Sequence, residues 1–112
     1  MSTNIQTKPM KEILYRESRV AKALGEPAKY AIVNLLFENG PTNVTEIVKA
    51  VKRSQSTISH HLAQLKNLEI VRFEIKKDGF YYWLKYPDAV GKILSALKGF
   101  VKRSVTGVEH DI

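Results

Sequence analysis

The spacing of apolar residues predicts two helices in the first part of the chain, over residues 9–24 and 27–38. In both segments apolar side chains recur every three or four positions, which is typical of a helix with one buried face. Gly40 and Pro41 follow the second segment, and both residue types favour the end of a helix. We therefore expect two consecutive helices with a short connection.

Two shorter helices are predicted next, joined by a very short turn. Asn43 and Glu46 have the spacing of a capping box, which indicates a helix start. Ser54 is a favourable N-cap for the following helix, which runs to about Leu68. The apolar residues of that helix share one face: Ile58, Leu62 and Leu65. Because two short helices joined so closely must cross steeply, residues 43–68 are predicted to form a helix-turn-helix.

After Leu68 the apolar residues recur every second position, which predicts a β-hairpin over residues 70–86. Asp78 followed by Gly79 is a strong signal for a type I′ turn. The resulting register pairs Lys77 with Phe80 across the turn. It places three apolar pairs on the face expected to meet the core: Val71 with Tyr86, Phe73 with Leu84, and Ile75 with Tyr82.

A last helix is predicted over residues 88–103, where apolar residues form a continuous stripe. The fold class is therefore mainly α with a β-hairpin (α+β), in the order of four helices, the hairpin and a fifth helix. A hairpin directly after a helix-turn-helix forms the wing of a winged helix-turn-helix domain. We expect one such domain over residues 1–112, with flexible ends at 1–8 and 106–112.

Composition excludes several classes of protein. The chain has 112 residues and no cysteine, which excludes disulfides, thiolate metal sites and thiol redox chemistry. No stretch is apolar enough to span a membrane, and the first residues lack the apolar segment of a signal peptide. We expect a cytoplasmic protein with no membrane partner.

The net charge of +7 is concentrated in the second half of the chain. Residues 49–79 hold seven basic against three acidic residues, and residues 85–103 hold five against one. Such a distribution favours a polyanionic partner, because each phosphate contact releases condensed counterions. The alternative is an ordinary solvated surface of a basic protein.

The start of the fourth helix has the side chains that read DNA. Glutamine can form two hydrogen bonds with adenine, serine and threonine can bind bases or phosphates, and a helix N-terminus attracts phosphate. The helix carries no acidic residue before Glu69. The predicted DNA-binding residues on this helix and its cap are Ser54, Gln55, Ser56, Thr57, Ser59, His60 and Gln64. On the hairpin they are Arg72, Lys76 and Lys77. The alternative roles are helix capping, above all for Ser54, and solvated strand lysines.

No catalytic or metal-binding constellation stands out. The adjacent His60 and His61 point about 100° apart on a helix and cannot easily share one metal ion. Metal-ligand spacings, paired carboxylates and a Ser/His/Asp set are all missing from the sequence. We expect no enzyme activity, no cofactor and no bound metal.

Three segments carry a resemblance to a known family: ALGEP at 23–27, SQSTISHHL at 54–62 and IVR at 70–72. With them, residues 20–86 resemble the ArsR/SmtB family of winged-helix repressors. The resemblance implies a homodimer joined through the first and last helices, a palindromic operator in double-stranded DNA, and repression relieved by an effector.

The dimerisation helices are expected at residues 9–24 and 88–103. The last helix carries more apolar surface than a domain of this size can easily bury internally, which independently favours a dimer. Gly91 and Gly99 are candidate points where a partner helix approaches closely. The predicted interface residues are Ile13, Leu14, Val90, Ile93, Leu94, Leu97, Phe100 and Val101.

The chain departs from the family at its sensing sites. Asn43 and Thr45 stand where the family's metal sensors often carry a Cys-x-Cys pair. Asp88 is followed by Ala89 and Val90, where another metal site of the family continues with histidine. The usual metal and thiol sensing sites are therefore expected to be absent, and a small-molecule or protein effector stays open.

Two functions remain after this comparison. The leading hypothesis is a sequence-specific regulator of transcription that acts as a repressor. The alternative is a winged-helix module that docks a protein partner through Tyr81 and Trp83 on the outer face of the hairpin.

Overall fold

The computed structural model describes the backbone of residues 2–111 and the side chains of residues 11–103. The described residues form five helices: α1 (Ser2–Leu24), α2 (Pro27–Asn39), α3 (Val44–Val51), α4 (Gln55–Asn67) and α5 (Pro87–Asp111). They also form three strands: β1 (Thr42–Asn43), β2 (Val71–Lys76) and β3 (Gly79–Leu84). The predicted fold class and helix order are confirmed, with β1 as an unpredicted addition.

The two end helices are longer than predicted. The first begins at Ser2 instead of residue 9, and the last continues to Asp111 instead of residue 103. The side chains of residues 1–10 and 104–112 lie outside the described residues, as do Met1 and Ile112 altogether. The expected flexibility of residues 1–8 and 106–112 therefore stays a prediction.

Side-chain caps define the helix-turn-helix. Asn43 Oδ1 accepts a hydrogen bond from the Glu46 N–H at 2.9 Å, and Ser54 Oγ accepts one from the Thr57 N–H at 3.2 Å. Both predicted helix starts are confirmed. Between them, Lys52 has a left-handed backbone with φ of 61° and ends α3. The short turn between α3 and α4 follows from this reversal of the backbone.

The strands form one antiparallel sheet in the order β1-β3-β2. Thr42 pairs with Tyr82, and its buried hydroxyl donates a hydrogen bond to the Gly40 carbonyl at 2.9 Å. The short β1 therefore ties the approach to α3 to the hairpin.

The hairpin register differs from the predicted one by two residues. Val71 pairs with Leu84, Phe73 with Tyr82, and Ile75 with Phe80. The prediction of a type I′ turn is also wrong. The central residues of the turn are Lys77 and Asp78, and neither has the positive φ that this turn type requires. The positive φ, 126°, falls on Gly79, which follows the turn and pairs with Lys76. A shift of two residues keeps every side chain on its predicted face.

The core lies between the helices and the base of the hairpin. The predicted apolar face of α4 is fully buried there. Along β2, burial decreases from Val71 through the half-buried Phe73 to the exposed Ile75, so the hairpin extends away from the core. The expectation that Ile75 and Tyr86 meet the core is wrong, since both are exposed.

Helix α5 divides its apolar stripe between two environments. Val90 and Leu94 belong to the core of the chain itself, so their prediction as dimer contacts is wrong. The stripe is continuous in sequence, but α5 turns only part of it toward α2. The other predicted interface residues are exposed: Ile13, Leu14, Ile93, Leu97, Phe100 and Val101.

Candidate nucleic-acid interface

The exposed face of α4 brings together four of the predicted DNA-binding residues. Gln55, Ser56, Ser59 and His60 are all exposed. Ser56 and His60 lie opposite the buried stripe, and Gln55 and Ser59 flank that face near the start of the helix. The sequence of α4 contains no aspartate or glutamate. This face therefore offers hydrogen-bond donors and acceptors without repelling phosphate.

Ser54 and Thr57 use their hydroxyl groups to start the helix. Besides accepting from the Thr57 N–H, Ser54 Oγ donates to Thr57 Oγ1 at 2.9 Å and lies 3.2 Å from Ser56 Oγ. Thr57 is half-buried. The capping role considered for Ser54 is thus present, and the small network fixes the backbone from which Gln55 and Ser56 project.

Gln64 is half-buried, unlike the four exposed DNA-binding candidates of α4, and its predicted contact with DNA stays a prediction. Its side-chain oxygen Oε1 is buried without a hydrogen-bond partner among the described residues. The residue lines a concave surface together with Ser18 and Lys22 of α1 and with Glu26. Gln64 lies on the edge of α4 that faces α1, and sequence spacing alone did not show how far that edge is covered.

Glu26 is a positioning residue that sequence reasoning missed. Its carboxylate accepts hydrogen bonds from the N–H groups of Ala28 at 3.3 Å and Lys29 at 3.0 Å, and so caps α2. The Lys29 hydrogen bond is the main cause that lowers the pKa of Glu26. Nε2 of His61 on α4 lies 3.7 Å from Glu26 Oε2. A glutamate directly before Pro27 at the helix start was the available signal.

The predicted basic residues of the wing are exposed as expected. Arg72 lies on β2, Lys76 at its end, and Lys77 in the turn. Lys76 Nζ lies 4.9 Å from the centroid of the Tyr81 ring. The Tyr81 hydroxyl donates to Asp78 Oδ2 at 2.6 Å, which raises the pKa of Tyr81. Asp78, the acidic residue of the turn, therefore has a partner within the hairpin.

Lys66 adds a cation between α4 and the wing that was not predicted. Its Nζ lies 5.1 Å from the centroid of the Phe73 ring, on the face of the hairpin turned toward α4. Nearby, Lys85 Nζ donates to Glu69 Oε1, which lowers the pKa of Glu69. The first carboxylate after α4 is thereby paired with a cation.

The remaining chemistry of the described part of the chain is sparse. Within residues 11–103, no three histidine, aspartate or glutamate side chains are grouped as metal ligands would be. None of the helices described is long and apolar enough to cross a bilayer. The ring centroids of His60 and His61 are 6.2 Å apart, with His60 exposed and His61 turned toward Glu26.

Comparison with known proteins identifies the family. Residues 26–72, from the cap of α2 into β2, match the family model for bacterial regulatory proteins of the arsR family. The HTH-type transcriptional regulator MJ1325 of Methanocaldococcus jannaschii is 41% identical over 70 residues, which cover 60% of this chain and 76% of that protein. The chain belongs to the ArsR family. The resemblance inferred from the sequence is confirmed.

Two further proteins are similar to this ArsR-family chain, one in sequence and one in fold. The transcriptional repressor PagR of Bacillus anthracis is 30% identical over 79 residues, covering 69% of this chain and 77% of PagR. The homodimeric winged helix-turn-helix domain of Mb0332 from Mycobacterium bovis has a TM-score of 0.75 at 24% identity, covering 86% of this chain and 87% of that one. The ArsR-family chain is a transcriptional regulator with a winged helix-turn-helix DNA-binding fold, and these relatives are regulators, not enzymes.

Proposed function

We propose that this ArsR-family regulator acts in the cytoplasm as a homodimer that binds a palindromic operator and represses transcription. The observation that carries the proposal is the exposed face of α4. Gln55, Ser59 and His60 lie together there, on a helix without acidic residues. A helix of this kind fits the major groove, where such side chains distinguish bases by hydrogen bonds.

Exposed apolar residues on α1 and α5 support the homodimer. Ile13 and Leu14 on α1, and Ile93 and Leu97 on α5, are large side chains in contact with water in the single chain. Burying them against a second copy would contribute about 25 cal/mol per Å². Mb0332, which has the same fold, is homodimeric.

A two-fold dimer predicts the form of the operator. Two copies of α4 related by two-fold symmetry would enter successive major grooves about 34 Å apart. The matching DNA site has two half-sites in inverted orientation, one helical turn apart. Repression is the proposed mode because PagR, a relative with 30% identity, is a repressor.

We propose that this regulator does not sense a metal ion or an oxidant through the sensing sites that are usual in the family. Asn43 uses its side chain to cap α3, and Thr45 beside it is exposed. Without cysteine, the chain cannot form a thiolate site. Three possibilities stay open: an unknown small molecule, a protein partner, or DNA binding without any effector.

The docking-module alternative has less support. It requires Tyr81 and Trp83 to be available on the outer face of the hairpin. Both residues are half-buried. Together with Phe37 and Pro41 they line a groove with a volume of about 390 Å³. They form less of a free aromatic surface than the sequence suggested.

Hydroxyl-radical footprinting of the DNA upstream of the regulator's own gene tests the proposal. We expect two protected half-sites in inverted orientation, about one helical turn apart, and reduced transcription from that DNA in a purified system. A single protected half-site would contradict the dimeric mode. Protection with increased transcription would contradict repression.

A further inference from the structure

We propose that the tip of the wing contacts the minor groove of the operator through an exposed apolar pair, Ile75 and Phe80. Their apolar contact would add to the charges of Lys76 and Lys77. This inference rests on the proposed function, because it assumes that α4 occupies the adjacent major groove.

Ile75 and Phe80 are cross-strand partners close to the turn. Ile75 is 66% exposed and Phe80 is 45% exposed. At the base of the same hairpin face, the pair of Val71 and Leu84 is buried in the core. The hairpin therefore carries its apolar face beyond the core and presents it to solvent at the tip.

The Phe80 ring is held in place by a stack of aromatic rings. It lies parallel to the Phe73 ring, with centroids 5.8 Å apart and 9° between the planes. Phe73 in turn stacks on Tyr82 at 5.5 Å. A side chain that is already ordered loses little conformational entropy on binding, so its contact area is converted more fully into affinity.

The exposed pair is connected to α4 through the aromatic stack. Lys66 of α4 lies over Phe73, the ring next to Phe80 in the stack. Lys66 lies in the last turn of α4, so the aromatic stack links the tip of the wing to the end of the helix that is proposed to read DNA. A partner bound along α4 would meet the wing next.

The charges around the tip indicate DNA as the occupant. Three cations are exposed on the hairpin: Arg72, Lys76 and Lys77. The hairpin has one exposed carboxylate without a partner among the described residues, Glu74, while Asp78 is engaged by Tyr81. Proteins that bind the minor groove often insert apolar side chains between base steps while nearby cations neutralise the phosphates at its edges. An apolar pair within a basic rim matches that chemistry. An apolar protein surface would leave the lysines without partners.

The test compares three wing variants on the footprinted operator by fluorescence anisotropy at several salt concentrations. We expect Phe80→Ala to lower the affinity about tenfold without changing the slope of affinity against salt, since it removes apolar contact only. Lys77→Ala should lower the slope by about 1 because it removes a phosphate contact. Phe80→Leu should retain most of the affinity, because it keeps a large apolar side chain at this position and leucine also inserts into the minor groove in other proteins.

Tyr86→Ala is the matched control, since Tyr86 is an exposed aromatic residue beyond β3, away from the tip. It should bind as the wild type does. A second readout places 2-aminopurine at successive steps of the minor groove beside each half-site. We expect its fluorescence to rise on binding of the wild type, through unstacking, and to rise less with Phe80→Ala.

Two results would separate this inference from the proposed function. Wild-type binding to the operator with no loss of affinity in folded Phe80→Ala and Ile75→Ala would overturn the apolar contact alone. The absence of specific binding by the wild type would overturn the proposed function and this inference with it.

Discussion

Nε2 of His61 on α4 lies 3.7 Å from Oε2 of Glu26, the carboxylate that caps α2. The side chain of Glu26 thus caps the start of α2 and also faces α4, the helix that is proposed to read DNA. His61 is largely buried, and its Nδ1 has no hydrogen-bond partner among the described residues. A residue outside the helix-turn-helix therefore contacts α4 directly.

Replacement of Glu26 by alanine should destabilise the fold. The variant leaves the N–H groups of Ala28 and Lys29 without their acceptor, and loss of such a cap costs about 1 kcal/mol. Urea unfolding at pH 7 measures the difference. Glu12→Ala is the control, because Glu12 pairs only with Arg16 on the exposed surface of α1, where an ion pair contributes little. Equal losses in the two variants would contradict the capping role.

The contribution of Glu26 should depend on pH. Its pKa in the folded chain is lowered from 4.5, mainly by the hydrogen bond from the Lys29 N–H. A lowered pKa gives stability that is present above the unfolded value and is lost as the pH falls through the folded value. The difference in unfolding free energy between the wild type and Glu26→Gln should therefore shrink as the pH falls below 4.5. A difference that stays constant from pH 7 through this range would argue against a charged cap.

The two glutamines of α4 should behave differently toward DNA. Gln55 is exposed at the start of the helix, whereas Gln64 has its amide oxygen buried toward α1. Gln55→Ala should weaken operator binding by about 1–3 kcal/mol and leave binding to random DNA unchanged. Gln64→Ala should leave the ratio of operator to random affinity unchanged. Competition binding with both duplexes checks this pair, and a loss of specificity in Gln64→Ala alone would reverse the assignment.

The exposed part of the α5 stripe should control dimerisation. Leu97→Glu places a charge within that stripe, and its desolvation should raise the dimer dissociation constant by at least about tenfold. Ser95→Glu is the control, since Ser95 is exposed on the opposite side of α5. Light scattering over a range of concentrations gives the oligomeric state. If Leu97→Glu stays dimeric over the same concentrations as the wild type, the dimer interface must lie elsewhere.

The two glycines of α5 should respond differently to alanine. A Cβ on Gly91 would lie 2.8 Å from Cε1 of Phe37, whereas a Cβ on Gly99 would meet nothing within 4 Å. Gly99→Ala should stabilise the helix by up to about 1 kcal/mol. Gly91→Ala should gain less, because the Phe37 ring must move. Thermal unfolding of both variants tests the difference, and an equal gain would show that Phe37 moves without cost.

Much of the fold could be predicted because local signals and tertiary packing agree. Asn43 and Ser54 cap their helices in the structure as their positions in the sequence indicate. The apolar face of α4 is buried as its spacing predicts. The short strand β1 could not be predicted, since its two residues, Thr42 and Asn43, are too few to show a period.

The errors arose where tertiary packing decides between equivalent sequence patterns. Val90 and Ile93 belong to one apolar stripe, but only Val90 is buried within the chain, and spacing cannot tell the core from an interface. Similarly, alternation along β2 identifies the face of Ile75 but not where the core ends beneath it. The register error came from assigning Gly79 to the turn itself when it follows the turn.

Fluorescence anisotropy on DNA from upstream of the gene, against a scrambled duplex at two salt concentrations, tests the central claim most directly. The account predicts that the regulator prefers its own upstream DNA by a factor of at least about 10³, with affinity that falls as salt rises. Equal, weak binding to both duplexes would contradict sequence-specific recognition of that DNA by the exposed face of α4.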